Sequence, residues 1–211
     1  MTNTLPLFAD DEACPPGFRY HEALVTKDEE ATLIARFHTL SFEPFDFRGF
    51  KGNRQTVAFG SRYDFTNGEV RPAFDMPDWL TPLKARAALI ADVPEEALVQ
   101  GLVTEYRPGA GIGWHRDRPE YGKVVGVSFG SACTLRLRRR DDERWRRQAV
   151  RLEPCSAYLL DGEVRTAWQH SIAPGQELRY SVTFRTVVGS NTGRKAGGRV
   201  APLNAGEGNG R

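Results

Sequence analysis

Two residue types that bind metal ions stand one residue apart, at His115 and Asp117. On an extended backbone, residues i and i+2 project from the same face, so an imidazole nitrogen and a carboxylate oxygen converge on one point while Arg116 is directed away. With a second histidine, such a pair forms the facial triad that holds non-haem Fe(II) and leaves coordination positions open. His170 is the candidate third ligand. The pair alone also recurs by chance, because a lone histidine is more often a hydrogen-bonded core or surface residue.

A strand predicted near the carboxyl end has one apolar and one cationic face. Its apolar positions are Leu178, Tyr180, Val182 and Phe184, and its polar positions are Arg179, Ser181, Thr183 and Arg185. Two interpretations are open. The polar face is exposed to water on an edge strand, or it lines a barrel interior, where guanidinium groups hold a dicarboxylate through bidentate pairing.

Hydrophobic periodicity predicts the elements that position these residues. Thr26 and Glu29 form a capping box that starts a helix, and a second amphipathic helix is expected over Asp78–Ala91. After Val99, six short segments are typical of strands bounded by glycine, proline or charged residues. The pattern predicts a mainly β (α+β) fold, a double-stranded β-helix or jelly roll that is buttressed on one sheet by the N-terminal helices.

The length of 211 residues indicates one domain. We expect a loose N-terminal arm over residues 1–18, the domain over 19–188, and a disordered basic C-terminal tail over 189–211, where glycine is frequent and apolar residues are few.

Composition excludes several classes of protein. With 40% apolar and 27% charged residues the chain is not a disordered one. No segment is apolar and long enough for a membrane helix, and no signal peptide is evident. Three cysteines without close spacing argue against a disulfide framework or a zinc site. We therefore expect a cytoplasmic protein that does not bind membranes.

Positive charge is concentrated in one segment, Arg136–Arg151, which holds eight arginines against three acidic residues. This segment and the basic tail would attract a polyanion, although the net charge of the chain is only +2. The alternative is that the arginines form an ordinary solvated face.

Residues 99–188 resemble the catalytic half of the AlkB family of Fe(II)- and 2-oxoglutarate-dependent dioxygenases. Three blocks match that family in order and spacing, Thr104–Asp117, His170–Ile172 and Arg179–Arg185. The two arginines that follow the HxD motif and the distal histidine are quite specific for it. The resemblance implies that residues 19–98 hold the helices and a substrate lid, and that residues 99–188 are the jelly-roll catalytic core.

The resemblance implies Fe(II) as cofactor, with 2-oxoglutarate and O2 as co-substrates. His115, Asp117 and His170 would be the catalytic metal ligands, and Arg179, assisted by the Tyr106 hydroxyl, would pair with the distal carboxylate of 2-oxoglutarate. Arg185 would serve the carboxylate next to the keto group, although about 20 Å of strand separates it from Arg179, so it must lean inward or act indirectly. The remaining co-substrate residues would be Thr104, Ser181 and Thr183.

The family's reaction converts 2-oxoglutarate and O2 to succinate and CO2 and places one oxygen atom on a substrate C–H bond. On an N-methyl group the product releases formaldehyde and the free base. We expect oxidative demethylation or dealkylation of N-alkylated bases in DNA or RNA, as in alkylation repair, by a monomer that binds nucleic acid without sequence specificity. Alternatives are the same chemistry on a protein side chain or a modified tRNA base, and a non-catalytic nucleic-acid-binding module.

Four residues are expected to contact the substrate. Tyr63 and Phe65 lie two apart in the lid region, where they would stack on an extruded base, unless both are core aromatics. Arg118 and Glu120 follow the HxD motif directly.

Two positions depart from the better-known repair members of the family. Thr104 replaces an asparagine that contacts 2-oxoglutarate, and Pro119 replaces an acidic residue that contacts the damaged base, leaving Glu120 beside it. Cofactor use is therefore better supported than activity on any one base.

Overall fold

The computed structural model of the chain describes residues 14–47, 50–64 and 69–188. Its α-helices are α1 (Lys27–Phe37), α2 (Thr81–Ala91) and α3 (Gly162–Thr166), with 3-10 turns at Asp78–Leu80 and Glu95–Ala97. Its strands are β1 (Phe18–His21), β2 (Glu43–Phe47), β3 (Phe50–Phe59), β4 (Ser61–Asp64), β5 (Glu69–Pro72), β6 (Leu98–Tyr106), β7 (Ile112–His115), β8 (Tyr121–Phe129), β9 (Cys133–Asp141), β10 (Arg144–Leu152), β11 (Ala157–Leu160), β12 (Gln169–Ile172) and β13 (Arg179–Val187).

Two antiparallel sheets form the body of the domain. The larger has the order β1-β11-β8-β13-β6-β3-β2 and the smaller the order β10-β9-β12-β7, while β4 and β5 pair separately. Val124 and Leu160 of the larger sheet pack against Leu135, Leu137 and Ile172 of the smaller one. This arrangement confirms the predicted mainly β jelly roll. None of the helices in the described residues is long and apolar enough to span a membrane.

Helices α1 and α2 cover the outer face of the larger sheet, as predicted. The Thr26 hydroxyl accepts a hydrogen bond from the Glu29 backbone N–H, and the Glu29 carboxylate accepts one from the Thr26 backbone N–H, so the capping box is confirmed. Phe37 of α1 and Leu83 of α2 are buried in one core with Val127 of β8. The second helix begins with the 3-10 turn and becomes α-helical at Thr81, next to a proline that is tolerated only in a first helical turn.

Strand β13 lies in the middle of the larger sheet, between β8 and β6. Its apolar residues Tyr180, Val182 and Phe184 enter the core under the helices. Its polar residues are also buried, and they are Arg179, Ser181, Thr183 and Arg185. The edge-strand interpretation is therefore wrong, and the polar face lines the interior between the two sheets.

Gly126 of β8 makes room for an aromatic ring inside the barrel. It lies opposite Tyr158 of β11, and a Cβ atom built on Gly126 would stand 2.5 Å from the ring carbon Cε1 of Tyr158. We expect Gly126→Ala to lower the free energy of unfolding by about 1–3 kcal/mol, as overpacking of a dense core does. Urea unfolding measures this value.

Gly175→Ala is the matched control, because the nearest atom to a Cβ there lies 4.0 Å away. A Gly126→Ala protein as stable as Gly175→Ala would contradict the assigned packing of Tyr158.

Candidate metal and co-substrate site

The structure brings His115, Asp117 and His170 together. One nitrogen or oxygen atom from each residue lies within 4.8 Å of those from the other two. His115 and His170 are direct partners in the β7–β12 ladder, and their ring centroids are 4.2 Å apart. Two neighbouring strands of the smaller sheet therefore supply both imidazoles.

Asp117 reaches this point differently from the expectation for one continuous strand. Strand β7 ends at His115, so Asp117 lies in the loop that follows. The buried Arg165 of α3 holds this loop, because its guanidinium donates hydrogen bonds to the backbone carbonyls of Asp117 (3.2 Å), Arg118 and Tyr121 (2.6 Å). The sequence motif brings the two side chains together, but a distant arginine fixes the backbone.

The three side chains have the protonation states that metal ligands need. Burial lowers the pKa of His170 to about 3, with a further contribution from His115, and burial also lowers the pKa of His115. Burial alone would raise the pKa of Asp117, but the Arg185 guanidinium, and the two imidazoles once they are protonated at low pH, outweigh it and lower that pKa. Both imidazoles are therefore neutral and the carboxylate is ionised near neutral pH.

Hydrogen bonding leaves ligand atoms of the cluster available. The Nδ1–H of His115 donates to the Gly113 carbonyl at 2.9 Å, which leaves the Nε2 lone pair for a metal. The Oδ1 atom of Asp117 accepts from Arg185 at 3.3 Å, whereas Oδ2 is buried and no described residue donates a hydrogen bond to it. Two imidazoles and one carboxylate with a free oxygen fit a facial Fe(II) site.

Arg179 is a buried cation with few partners. Arg179 is only 4% exposed, and among the described residues its one hydrogen bond runs from Nη2 to the Ser128 hydroxyl at 3.1 Å. Its Nε and Nη1 atoms are buried and have no hydrogen-bond partner in the described part of the chain, and its Cζ lies 4.8 Å from the centroid of the Tyr106 ring. A buried guanidinium in this state costs free energy, which a carboxylate accepting both hydrogens would offset.

The other predicted co-substrate residues line the interior near Arg179. Thr104 of β6 and Ser181 of β13 are register partners, and Thr183 follows on the same face. All three are buried. Ser128, which sequence reasoning missed, lies opposite Ser181 in the β8–β13 ladder, and only that register reveals it.

Arg185, at the other end of β13, contacts a metal-ligand candidate rather than an open pocket. Its guanidinium donates to Asp117 and to the Gln100 side chain (2.8 Å). Gln100 donates in turn to the Tyr121 hydroxyl at 2.8 Å. In this structure Arg185 therefore acts on the site through Asp117, and Gln100 and Tyr121 are residues that sequence reasoning missed.

The structure describes the side chains of only two of the four predicted substrate residues. Arg118 and Glu120 face one another in the loop after Asp117, with Nε and Oε2 separated by 3.9 Å. Tyr63 pairs with Val70 through the backbone of β4, but its side chain lies outside the described residues. Phe65 lies outside them entirely.

The arginine-rich segment forms the β9–β10 hairpin, and part of it is structural. The Arg138 guanidinium lies between the rings of Trp114 (4.2 Å) and Trp145 (4.4 Å). Arg136 donates to Ser171, and Arg139 pairs with Glu163. The exposed arginines of this segment are Arg140, Arg144, Arg146, Arg147 and Arg151.

The Arg165 contacts predict a test of the loop. Arg165→Met removes three hydrogen bonds to the backbone that carries Asp117, so we expect the affinity for Mn(II), used in place of Fe(II), to fall by about 10- to 100-fold. Isothermal titration measures it. Arg116→Met is the matched control, because the exposed Arg116 side chain donates to the Thr166 carbonyl and to no other described residue, and it should change affinity little. Equal affinities in the two variants would contradict the role of Arg165.

Residues 22–187 match the family model described as the 2OG-Fe(II) oxygenase superfamily. Three curated relatives are similar in sequence. An uncharacterised protein, L905, of Acanthamoeba polyphaga mimivirus is 29% identical over 42% of this chain and 48% of its own length. The mouse tRNA (carboxymethyluridine(34)-5-O)-methyltransferase ALKBH8 is 23% identical over 77% of this chain and 25% of its own length. An alkylated DNA repair protein ALKBH8 homolog of Arabidopsis thaliana is 24% identical over 77% of this chain and 52% of its own length. The matched part of this chain thus spans between a quarter and about half of the length of these relatives.

Solved structures share the fold. The structure of OsALKBH1 superposes with a TM-score of 0.67 at 17% identity, over 83% of this chain and 99% of that one. The structure of a 2OG-Fe(II) oxygenase family oxidoreductase from Burkholderia pseudomallei superposes with a TM-score of 0.56 at 15% identity, over 81% of this chain and 85% of that one.

These matches confirm the AlkB-like resemblance and the predicted enzyme class, whose cofactors are Fe(II), 2-oxoglutarate and O2. Because the family model covers most of the sequence and includes all three clustered ligand candidates, this chain belongs to the 2OG-Fe(II) oxygenase superfamily.

Proposed function

We propose that this chain uses Fe(II), 2-oxoglutarate and O2 to remove alkyl groups oxidatively from bases of DNA or RNA. One observation carries the proposal: His115, Asp117 and His170 converge in an interior that also holds Arg179, a buried guanidinium with two nitrogens that no described residue pairs with. The three ligands would hold iron, and Arg179 the distal carboxylate of 2-oxoglutarate.

When bound, iron supplies, with O2 and 2-oxoglutarate, the oxidising power that hydroxylates a substrate C–H bond. The chain's own residues position the reactants. Arg185 keeps Asp117 ionised and fixes one of its oxygens, and the Gly113 carbonyl fixes the orientation of the His115 ring. The Tyr106 ring stacks on Arg179 and limits its access to water.

A nucleic-acid partner is supported by two observations. Relatives that match most of this chain carry names that refer to tRNA or to alkylated DNA. Exposed arginines of the β9–β10 hairpin, Arg144 and Arg147 among them, are available to phosphates, which gives binding without sequence specificity. We also propose that the protein is monomeric and cytoplasmic.

The test is formaldehyde and succinate release by the iron-loaded protein, with oligonucleotides that carry N-alkylated bases, both cationic and neutral. We expect both products in equal amounts, stimulated by the alkylated strand and absent in His115→Ala. Succinate without such stimulation would instead favour a protein side chain as substrate. Nucleic-acid binding as the sole activity, retained in His115→Ala, would favour a non-catalytic module.

A modified tRNA base is the second candidate substrate. The mouse relative, which matches 77% of this chain, carries a name that refers to a modified uridine of tRNA, and this supports the second candidate. Incubation with bulk tRNA, followed by nucleoside mass spectrometry, distinguishes the two. A gain of one oxygen atom on a tRNA nucleoside, without activity on alkylated oligonucleotides, would select this candidate.

A further inference from the structure

The two faces of the smaller sheet differ in chemistry. Leu135 and Leu137 of β9 point into the interior, and side chains alternate along a strand, so the residues between them point outward. Residues directly opposite one another in a ladder share a face, and the β9–β10 register therefore extends this outer face across β10. The outward residues are Thr134, Arg136, Arg138 and Arg140 of β9, and Trp145, Arg147, Ala149 and Arg151 of β10. Five of these eight residues are arginines and none is acidic.

Arg138 is held at the centre of this outer face. Its Cζ lies 4.2 Å from the ring centroid of Trp114 and 4.4 Å from that of Trp145. Its Nε donates a hydrogen bond to the side-chain oxygen of Gln169 at 2.8 Å. All three partners are neutral, so they orient the guanidinium without cancelling its charge. A side chain that is already ordered loses little further conformational entropy when an anion binds to it.

The neighbouring arginines of the outer face also keep their charge. Arg136 donates to the Ser171 hydroxyl at 3.0 Å, and Arg140 donates to the backbone carbonyl of Asp142 at 2.9 Å. Arg147 is exposed and forms no ion pair with a carboxylate of the described residues. With Arg138, four positive charges therefore stand on this face without an acidic partner in the part of the chain that the structure describes.

The spacing of these charges suits a linear polyanion. Arg136, Arg138 and Arg140 are each two residues apart, which at about 3.3 Å per residue sets successive Cα atoms about 6.6 Å apart along β9. Successive phosphates of an extended nucleic-acid strand are a similar distance apart. Arg151 contributes less to this row, because it pairs with Glu153.

We propose that the outer face of the smaller sheet binds the phosphate backbone of single-stranded nucleic acid through Arg136, Arg138, Arg140 and Arg147, which we name the arginine face. The inference rests on the proposed function for its choice of partner, and it adds a binding surface outside the metal and co-substrate site. Aromatic rings beside a row of cations are typical of surfaces that bind single strands without sequence preference.

An anionic membrane would also attract arginines, but the outer face is poorly suited to one. Membrane-binding faces insert large apolar side chains, whereas the exposed uncharged residues of this face are Thr134 and Ala149. Trp114 and Trp145 pack on Arg138 and so do not extend from the sheet. These contacts favour a nucleic-acid strand over a lipid surface.

The arginine face and the metal-ligand cluster lie on opposite sides of one sheet. His170 of β12 belongs to the cluster, whereas its chain neighbours Gln169 and Ser171 accept hydrogen bonds from arginines of the outer face. In β7, His115 belongs to the cluster and Trp114 contacts the arginine face. Binding to this face therefore requires neither a metal ion nor an alkylated base.

Fluorescence anisotropy of a labelled, unmodified oligothymidylate tests this surface, with the full chain in the presence and absence of Mn(II). Each arginine–phosphate contact on a single strand contributes about 0.7 to the slope of log affinity against log salt, so four contacts predict a slope of about −3. In Arg147→Glu we expect the affinity at low salt to fall about tenfold and the slope to weaken by about 0.7, with or without Mn(II).

Arg36→Glu is the matched control. Arg36 is exposed at the end of α1, which covers the larger sheet, and its reversal changes the net charge of the chain by the same amount. It should bind the oligonucleotide like the wild-type protein. If Arg147→Glu fails to fold, Arg147→Gln removes the same contact without adding a negative charge, and it should weaken the slope equally.

Three results would overturn the arginine face. Equal losses of affinity in Arg147→Glu and Arg36→Glu would assign binding to the overall charge of the chain. Tighter binding to vesicles of anionic lipid than to the oligonucleotide would assign the face to a membrane. Wild-type affinity in Arg147→Glu, together with formaldehyde release from alkylated oligonucleotides, would leave the proposed function in place without this surface. The expected binding without any turnover would instead keep the surface and overturn the proposed function.

Discussion

Arg179→Met is expected to weaken the binding of 2-oxoglutarate by at least about 30-fold and to stabilise the ligand-free protein. The first effect follows because truncating one partner of a buried charge pair typically costs 2 kcal/mol or more, here roughly the loss of a bidentate carboxylate contact. The second follows because two nitrogens of Arg179 are buried without partners among the residues that the structure describes, so a methionine removes a poorly compensated cation. Titration with 2-oxoglutarate and urea unfolding measure the two effects.

Arg185→Met is the matched control on the same strand. Arg185 is almost as buried, but it is paired with Asp117 and Gln100, so its removal leaves a buried carboxylate unpaired. We expect this variant to lose about 3–5 kcal/mol of unfolding free energy. If both methionine variants shifted stability in the same direction, the distinction between a binding arginine and a structural one would be wrong.

Asp117→Ala is expected to lower metal affinity by more than about 100-fold and to destabilise the fold. Residues that merely orient ligands contribute about 10- to 100-fold, so the loss of a ligand exceeds that range. The side chains of Asp117 and Arg185 are 9% and 11% exposed, so the remaining guanidinium is a buried unpaired charge, at a cost of about 3 kcal/mol. Electron paramagnetic resonance with Mn(II) and urea unfolding provide the two readouts.

The double variant Asp117→Ala/Arg185→Met separates the two roles of the carboxylate. We expect it to recover part of the lost stability, because the unpaired charge is gone, and to recover none of the metal affinity. A double variant that is less stable than Asp117→Ala would show that the two residues are not a coupled pair. Metal affinity that survives in Asp117→Ala would remove Asp117 from the ligand set.

Local sequence patterns predicted much of the fold. The capping box at Thr26 and Glu29 uses a hydrogen-bond pattern contained within four residues, and it is present as expected. The alternation in β13 predicted two chemically different faces, although the sequence alone left open whether the polar face was exposed to water or was buried as well. Position in the sheet decided that question, because β13 has neighbours on both sides.

Short strands were the elements that periodicity missed. Strands β7 and β12 have four residues each, too few for a period to be visible, yet they carry His115 and His170. The HxD spacing was sufficient to suggest that His115 and Asp117 converge. The contact of Arg165 with the loop backbone has no sequence signal, since it joins segments that only the fold brings together.

The count of charged residues also predicted only part of the arrangement of the β9–β10 hairpin. The excess of arginine was evident from the sequence, but the stacking of Arg138 between Trp114 and Trp145 depends on the register of β7, β9 and β10. Composition identifies charged residues, whereas pairing decides which of them remain available to a ligand.

An anaerobic titration of the protein with Fe(II), followed by visible absorption in the presence and absence of 2-oxoglutarate, tests the ligand cluster most directly. We expect an absorption band that requires both iron and 2-oxoglutarate, saturates at one iron per chain, and disappears in His170→Ala. In Arg179→Met the band should form only at much higher 2-oxoglutarate concentrations. An unchanged band in His170→Ala would contradict the assignment of His115, Asp117 and His170 as the metal site.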